Sequence, residues 1–396
     1  MGGGLMRKTI FWLHLVTGVV AGLVILIMSV TGVLLMYQKQ ITAWADGAKV
    51  QVDESVGAPL SVEELLEKVR AVEKKTPSSI SVSSDPQMAV AMSWGREKVL
   101  FVHPYTGAVV SEGSKAVRGF FQLMIDWHRW LGMSGGKKPI GKAITGACNL
   151  GFLFLVVSGI YLWWPKTKKA LKAAIAFDFS LRGKARDWNW HNVAGFWMAI
   201  PLFLVVITAT FFSYSWPTDL LYKATGNEPP PKTARPAQPA QPGGAKGSEN
   251  REGERLKAVG GEKESDAAPG YTGLGKHFAL AQQQVEGWTT ATLRMPTSPG
   301  GALAFTVDRG SHARPDLRSQ VTIDPRTGMI EKTETYSSYN AARKIRLWVR
   351  WIHTGEAGGV IGQTVAGIAS AAGALLVWTG IALAFRRFFK RKEVNQ

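Results

Sequence analysis

The stretch TIFWLHLVTGVVAGLVILIMSVTGVLLMYQ, Thr9–Gln38, contains no Asp, Glu, Lys or Arg. A helix crosses a bilayer with about 20 apolar residues, so this run predicts a membrane span. A cleaved leader is the rival reading, and Ala43-Trp44-Ala45 resembles a cleavage site. The apolar core of a leader is only about 7–15 residues long, which favours the span. Three more charge-free runs follow at Ala143–Pro165, Trp188–Thr218 and Ala357–Phe385. Four such runs exclude a single soluble globule. Cys148 is the only cysteine and lies inside the second run, so a disulfide scaffold is excluded too.

The 396 residues carry a net charge of +18, yet only 19% of them are charged. The basic residues gather beside the apolar runs rather than on one soluble face. That placement fits a lipid membrane as the partner and speaks against nucleic acid. Arg7 and Lys8 precede the first span. Lys166, Lys168, Lys169, Lys172, Arg182, Lys184 and Arg186 lie between the second and third, and Arg386, Arg387, Lys390, Arg391 and Lys392 follow the fourth. Four spans put all three groups on one side, which the positive-inside rule makes the cytoplasm. Both termini are then cytoplasmic. Lys137, Lys138 and the basic residues from Arg343 to Arg350 are the opposing charges on the other side.

This gives a multi-pass organisation. Residues 1–38 form the first span, 39–138 an outer module with a membrane-edge helix, and 139–165 the second span. A basic loop, 166–187, leads to the third span, 188–216. A Pro-, Gly- and Ala-rich linker at 217–270, with Pro229-Pro230-Pro231, is expected to be mostly disordered. A second outer module, 271–356, precedes the fourth span, 357–385, and a tail, 386–396. In the first module Ser61–Glu73 reads as a helix with Val62, Leu65, Leu66 and Val69 on one face, opened by a Ser61/Glu64 capping box. Ala89–Trp94 and Val99–His103 read as strands. In the second module Thr272–Glu286 reads as a helix, and Ala302–Val307 and Gln320–Ile323 as strands.

The two halves repeat. Phe101-Val-His-Pro-Tyr-Thr-Gly107 matches Thr322-Ile-Asp-Pro-Arg-Thr-Gly328. At the same offset Ile140-Gly141 matches Ile361-Gly362, Gly146 matches Gly367, and Gly159 matches Gly380. At a second constant offset His14-Leu-Val-Thr-Gly18 matches His191-Asn-Val-Ala-Gly195, and Thr31 matches Thr208. Each half therefore runs span, α+β module, span. The halves are expected to be parallel repeats about an axis along the membrane normal.

Four of the seven histidines stand at span ends: His14, His128, His191 and His353. The repeat pairs His14 with His191 at the inner side and His128 with His353 at the outer side. A single histidine at such a place is commonly an interfacial residue. Two pairs, one per membrane face, point instead to ligands. Two imidazoles from opposing helices supply both axial ligands of a haem iron. Gly18 and Gly195, four residues after their histidines, are expected to leave room for a flat ring. Arg7, Lys8, Arg129 and Arg350 are candidate propionate partners. His103, His277 and His312 have no evident ligand role. No GxGxxG, Walker A or HExxH pattern occurs, and no residue is marked as catalytic.

The two D-P-x-T-G-like turns resemble those of the PepSY-associated transmembrane family. Trp127-His128-Arg129-Trp130-Leu131-Gly132 is similar to that family's membrane-edge histidine motif, and Ser158-Gly-Ile-Tyr-Leu-Trp-Trp-Pro165 to its second span. The resemblance covers nearly the whole chain apart from 229–270. It implies a four-helix transmembrane bundle with two extracytoplasmic α+β PepSY-like modules, in a bacterial inner membrane. It also implies two b-type haems and reduction of a ferric siderophore or other ferric chelate, releasing Fe(II). Some relatives carry a flavin and NADPH reductase domain. Here the electron donor is expected to be a separate protein, such as a cytosolic reductase, or a quinol. PepSY modules also regulate peptidases, so a membrane-anchored regulator or sensor without redox activity is the alternative.

Overall fold

The computed structural model describes residues 2–47, 52, 57–96, 98–165, 167, 171, 174–229, 273–296, 300–310 and 314–389. His312, Lys166, Lys168, Lys169, Lys172, Lys390, Arg391, Lys392 and most of the expected linker lie outside the described residues. The chain divides into two compact units. One contains residues 1–38, 123–229 and 341–396; the other contains 39–122 and 230–340.

The first unit is built on four long helices: α1 (Gly2–Leu35), α5 (Lys138–Trp163), α6 (Gly183–Ser213) and α10 (Gly359–Phe388). The four are long and apolar enough to span a membrane, within Gly4–Leu35, Gly135–Trp163, Gly183–Ser213 and Glu356–Phe388. Large apolar side chains such as Val20, Ile200 and Ile361 stay exposed on their outer faces, as lipid-facing residues do. α1 packs on α5 and α10, and α6 packs on the same two. The helices thus form a ring in which α1 faces α6 diagonally, and α5 faces α10.

Among the described residues α2 (Gln38–Ala45) follows α1, and further short helices accompany the bundle. α4 (Lys115–Trp130) and α9 (Ala341–His353) each end in a histidine-bearing basic turn. α7 (Trp216–Ala224) starts with a proline in its first turn, a position where the missing N–H costs nothing. The turns after α4 and α9 are tight. A Cβ on Gly141 would strike the Trp130 carbonyl, and one on Gly362 would strike the Gly355 carbonyl. These repeat-related glycines let the backbone that follows each histidine press against the start of the next span.

The second unit holds one antiparallel sheet of eight strands, in the order β4-β3-β2-β1-β5-β6-β7-β8. The strands are β1 (Ser79–Ser83), β2 (Val90–Trp94), β3 (Lys98–Val102), β4 (Val109–Glu112), β5 (Thr290–Arg294), β6 (Leu303–Asp308), β7 (Arg318–Ile323) and β8 (Ile330–Glu334). The two expected modules thus each supply four strands to a common sheet. They meet where β1 pairs with β5, with Ser81 opposite Thr292 and their hydroxyls 2.8 Å apart. Pairing these two strands removes two exposed sheet edges at once.

Helices α3 (Val62–Arg70) and α8 (Leu274–Gln283) share one core with the sheet. Val62, Leu65, Leu66 and Val69 are buried there, and the Ser61/Glu64 capping box is present. α8 begins at Gly273, which offers no side-chain cap. The Glu63 carboxylate fills that role by accepting the Gly275 N–H at 3.0 Å. The two D-P-x-T-G-like turns join β3 to β4 and β7 to β8 with the same hydrogen bonds. Gly107 N–H donates to His103 O and Gly328 N–H to Asp324 O, both at 2.9 Å. His103 Nδ1 accepts the Tyr105 N–H just as Asp324 Oδ1 accepts the Arg326 N–H. That shared acceptor role explains why a histidine stands where the second repeat has an aspartate.

Candidate functional site: two histidine pairs in the bundle

The four span-end histidines come together as two pairs. The ring centroids of His14 and His191 are 6.5 Å apart. Those of His128 and His353 are 6.3 Å apart. His14 and His191 project from α1 and α6, the diagonal helices. His128 and His353 come from the ends of α4 and α9.

Each imidazole is held through Nδ1 by a hydroxyl on a long helix. His14 Nδ1 lies 2.8 Å from Ser158 Oγ, and His191 Nδ1 lies 2.9 Å from Thr379 Oγ1. His128 Nδ1 lies 2.9 Å from Thr31 Oγ1, and His353 Nδ1 lies 3.3 Å from Thr208 Oγ1. Ser158 and Thr379 are repeat mates, as are Thr31 and Thr208. Both pairs therefore obey the two-fold relation in their supports as well as in their rings.

The hydroxyls fix the tautomers. Ser158, Thr379, Thr31 and Thr208 each donate to the carbonyl four residues back, at 2.6–2.7 Å. A hydroxyl has one proton, and here it is spent on the helix backbone. Toward the imidazole the oxygen can only accept. Nδ1 must therefore carry the ring proton, which leaves Nε2 with its lone pair. His353 makes the case independently, because its Nδ1 also meets the Val205 carbonyl at 2.9 Å, a pure acceptor. Burial lowers the pKa of His128 to about 4, with His353 adding to the effect. Burial likewise lowers the pKa of His353.

Four imidazoles held through Nδ1, each with Nε2 left over, are a ligand set. Metal–imidazole bonds are about 2.0–2.1 Å long and a ring nitrogen sits about 1.1 Å from its centroid, so two rings on opposite sides of one ion have centroids about 6.3 Å apart. Both pairs match that spacing. Among the described residues no group of three or more His, Cys, Asp or Glu converges. A closed tetrahedral site built from protein ligands is thus not present there. Two trans imidazoles suit an ion whose remaining positions come from a planar macrocycle, and haem has that donor pattern.

A Cβ on Gly18 would meet Leu155 at 3.9 Å, and one on Gly195 would meet Leu376 at 3.6 Å, so these glycines face neighbouring helices. The glycines beside the imidazoles are others. A Cβ on Gly159 would stand 3.5 Å from His14 Cε1, one on Gly380 3.4 Å from His191 Cε1, and one on Gly32 3.6 Å from His128 Cε1. Of the candidate propionate partners, Arg7 donates to the Leu162 carbonyl at 2.7 Å. Arg129 lies over the Trp130 ring and Arg350 over the Trp351 ring. His277 is buried in α8 and His103 serves its turn, so neither joins a pair.

A family model described as the PepSY-associated TM region matches residues 11–387. The chain belongs to the PepSY-associated TM family. The match runs through all four spans and both halves of the sheet, so this is a multi-pass membrane member. No curated protein matches the chain.

The four supporting hydroxyls were missing from the sequence-derived site. Thr31 and Thr208 had been matched as repeat mates without a role. Ser158 and Thr379 stand one residue before the matched Gly159 and Gly380. The same repeat offset would have found them.

Proposed function

We propose that this protein is a di-haem b cytochrome that carries electrons across the bacterial inner membrane to an acceptor on the outer side. The observation that carries the reading is the pairing of His14 with His191 and of His128 with His353, ring centroids 6.5 and 6.3 Å apart, with each Nδ1 held by a backbone-bonded hydroxyl. His14 and His191 hold the inner haem, and His128 and His353 the outer one. Each haem supplies a one-electron Fe(III)/Fe(II) couple. The protein's residues supply ligation, burial and orientation.

Ser158, Thr379, Thr31 and Thr208 keep each ring turned and keep its proton away from the iron, which is the usual task of groups behind a ligand. No CxxCH sequence occurs, so attachment is non-covalent. Both termini lie in the cytoplasm and the sheet unit in the periplasm. A quinol or a separate reductase delivers electrons inside. The acceptor is a ferric siderophore or a similar ferric chelate, and its reduction releases Fe(II). Two histidines would hold each iron, so the chelate would take its electron at the haem edge.

The test is the absorption spectrum and haem-to-protein ratio of the purified protein. Two low-spin b-type haems per chain, reoxidised by a ferric chelate, are expected. A colourless protein from haem-replete cells would sink the proposal.

A further inference from the structure

Phe152 and Gly373 occupy the same place in the two repeats, at the offset that relates Ser158 to Thr379 and Gly141 to Gly362. They also touch. A Cβ on Gly373 would stand 3.4 Å from Phe152 Cζ and 2.8 Å from Ser29 Oγ. α5 and α10 face each other diagonally, so the Phe152 ring reaches across the middle of the bundle to the backbone of its own repeat mate. Residues related by a two-fold axis meet only at that axis. A side chain on Gly373 would crowd the Ser29 hydroxyl and stand against the Phe152 ring, so phenylalanine in one repeat is answered by glycine in the other.

The ring also lies between the two histidine pairs. Along α10, Gly373 stands about 9 Å from Thr379, which supports His191, and about 4.5 Å from Ser370, at 1.5 Å of rise per residue. Ser370 Oγ is 3.3 Å from a Cβ on Gly32, and that same Cβ position is 3.6 Å from His128 Cε1. From Gly373, one direction along α10 thus leads to the inner pair and the other to the outer pair.

We propose that Phe152 is the bridging residue for electron transfer between the two sites; this rests on the di-haem reading. One electron leaves the iron held by His14 and His191, which passes from Fe(II) to Fe(III). It arrives at the iron held by His128 and His353, which passes from Fe(III) to Fe(II). The ring itself is neither oxidised nor reduced. Electronic coupling falls off less steeply through packed matter than across a gap, and an aromatic ring on the axis fills the direct path. Gly373 makes that position available.

The experiment follows the full-length protein in right-side-out vesicles, reduced beforehand and mixed with membrane-impermeant ferricyanide. The outer haem oxidises first. The inner haem then oxidises through the outer one, and this second phase reports the bridge. Phe152→Leu and Phe152→Met keep most of the volume without the ring. Each is expected to slow the second phase by about tenfold, the change that about 1.4 kcal/mol of barrier produces. The first phase, haem ratio, spectra and melting temperature are expected to stay as in the parent.

The exchange variant Phe152→Gly with Gly373→Phe, made together with Ser29→Ala to remove the hydroxyl 2.8 Å from the new Cβ, returns a ring to the axis from the other repeat and is expected to restore the second phase. An unchanged second phase in both single variants, with two haems bound, overturns this inference alone. So does a slowed phase that tracks a lower melting temperature and that the exchange does not restore. A parent protein without two haems overturns the reading beneath it.

Discussion

His191 Nδ1 lies 2.9 Å from Thr379 Oγ1, and the threonine proton is already given to the Leu375 carbonyl at 2.7 Å. The contact is therefore one-directional: the imidazole donates and the hydroxyl accepts. Thr379→Val keeps the shape of the side chain and removes the acceptor. Groups behind a metal ligand are typically worth 10–100-fold in affinity, so the inner haem should be retained roughly 10–100-fold less tightly. Thr379→Ser should retain it, since Ser158 does the same work for His14. Haem loss to an apo-acceptor protein, followed at the inner spectral component, measures this. Equal retention in Thr379→Val would remove the hydroxyl from the site.

Glycines along the bundle differ in what they face, and alanine substitutions should sort them. At Gly362 a Cβ runs into the Gly355 carbonyl, and at Gly141 into the Trp130 carbonyl. Backbone cannot swing aside as a side chain can. Gly362→Ala or Gly141→Ala should cost about 1–3 kcal/mol, the usual range for overpacking, and should disturb the outer haem first. Gly18→Ala meets only the end of Leu155 at ordinary contact distance and should be tolerated. Melting temperatures and the outer-haem spectrum of the three variants test the ordering.

In the sheet unit, Glu63 of α3 serves as the missing cap of α8. Glu63→Gln removes the charge at that helix N-terminus and should lower stability by roughly 0.3–1 kcal/mol. Glu67→Gln, on the same helix, should change it less. Urea unfolding of the full-length protein in detergent, read by tryptophan emission, compares the two.

The features legible in the sequence are the local and repeated ones. The charge-free spans, the Ser61/Glu64 box and the paired turns each announce themselves within a few residues. β1 was missed because Ser79-Ile-Ser-Val-Ser83 is short and half hydroxyl, with only Ile80 buried. Its pairing with β5 joins residues more than two hundred positions apart, so no local pattern carries it. The joined sheet was therefore invisible, although each half held recognisable strands. The histidine pairing was legible because duplication fixes which partners correspond. The supporting hydroxyls were not, because serine and threonine on apolar helices commonly bond back to their own backbone without any further task. Helical spacing places Gly18 and Gly195 on a face, but does not say which neighbour stands opposite: Leu155 and Leu376 do.

The flanking charges predict a membrane orientation. Arg7, Lys8, Arg182, Lys184, Arg186, Arg386 and Arg387 all lie at one set of span ends. Reporter fusions after Gly243 and after Lys392 should report opposite sides, with the second in the cytoplasm. Both on one side would refute the four-span path and separate the histidines that it pairs.

The sharpest prediction concerns which ligands share an iron. His14 and His191 belong to different repeats, and so do His128 and His353, yet the close ring contacts run between repeats and not within them. His14→Ala and His191→Ala should therefore damage the same haem, and His128→Ala and His353→Ala the other. Losing one of two axial ligands leaves that iron high-spin or lets the haem escape, while the second haem keeps its low-spin spectrum. Loss of the outer haem should stop ferric-chelate reduction while the inner one still accepts electrons from its donor. Loss of the inner haem should leave the outer one reducible by an added chemical reductant but not by the physiological donor. If His14→Ala and His128→Ala abolish the same spectral component, the irons are held within repeats. The path from inner to outer face, and with it the bridging place of Phe152, would then be wrong.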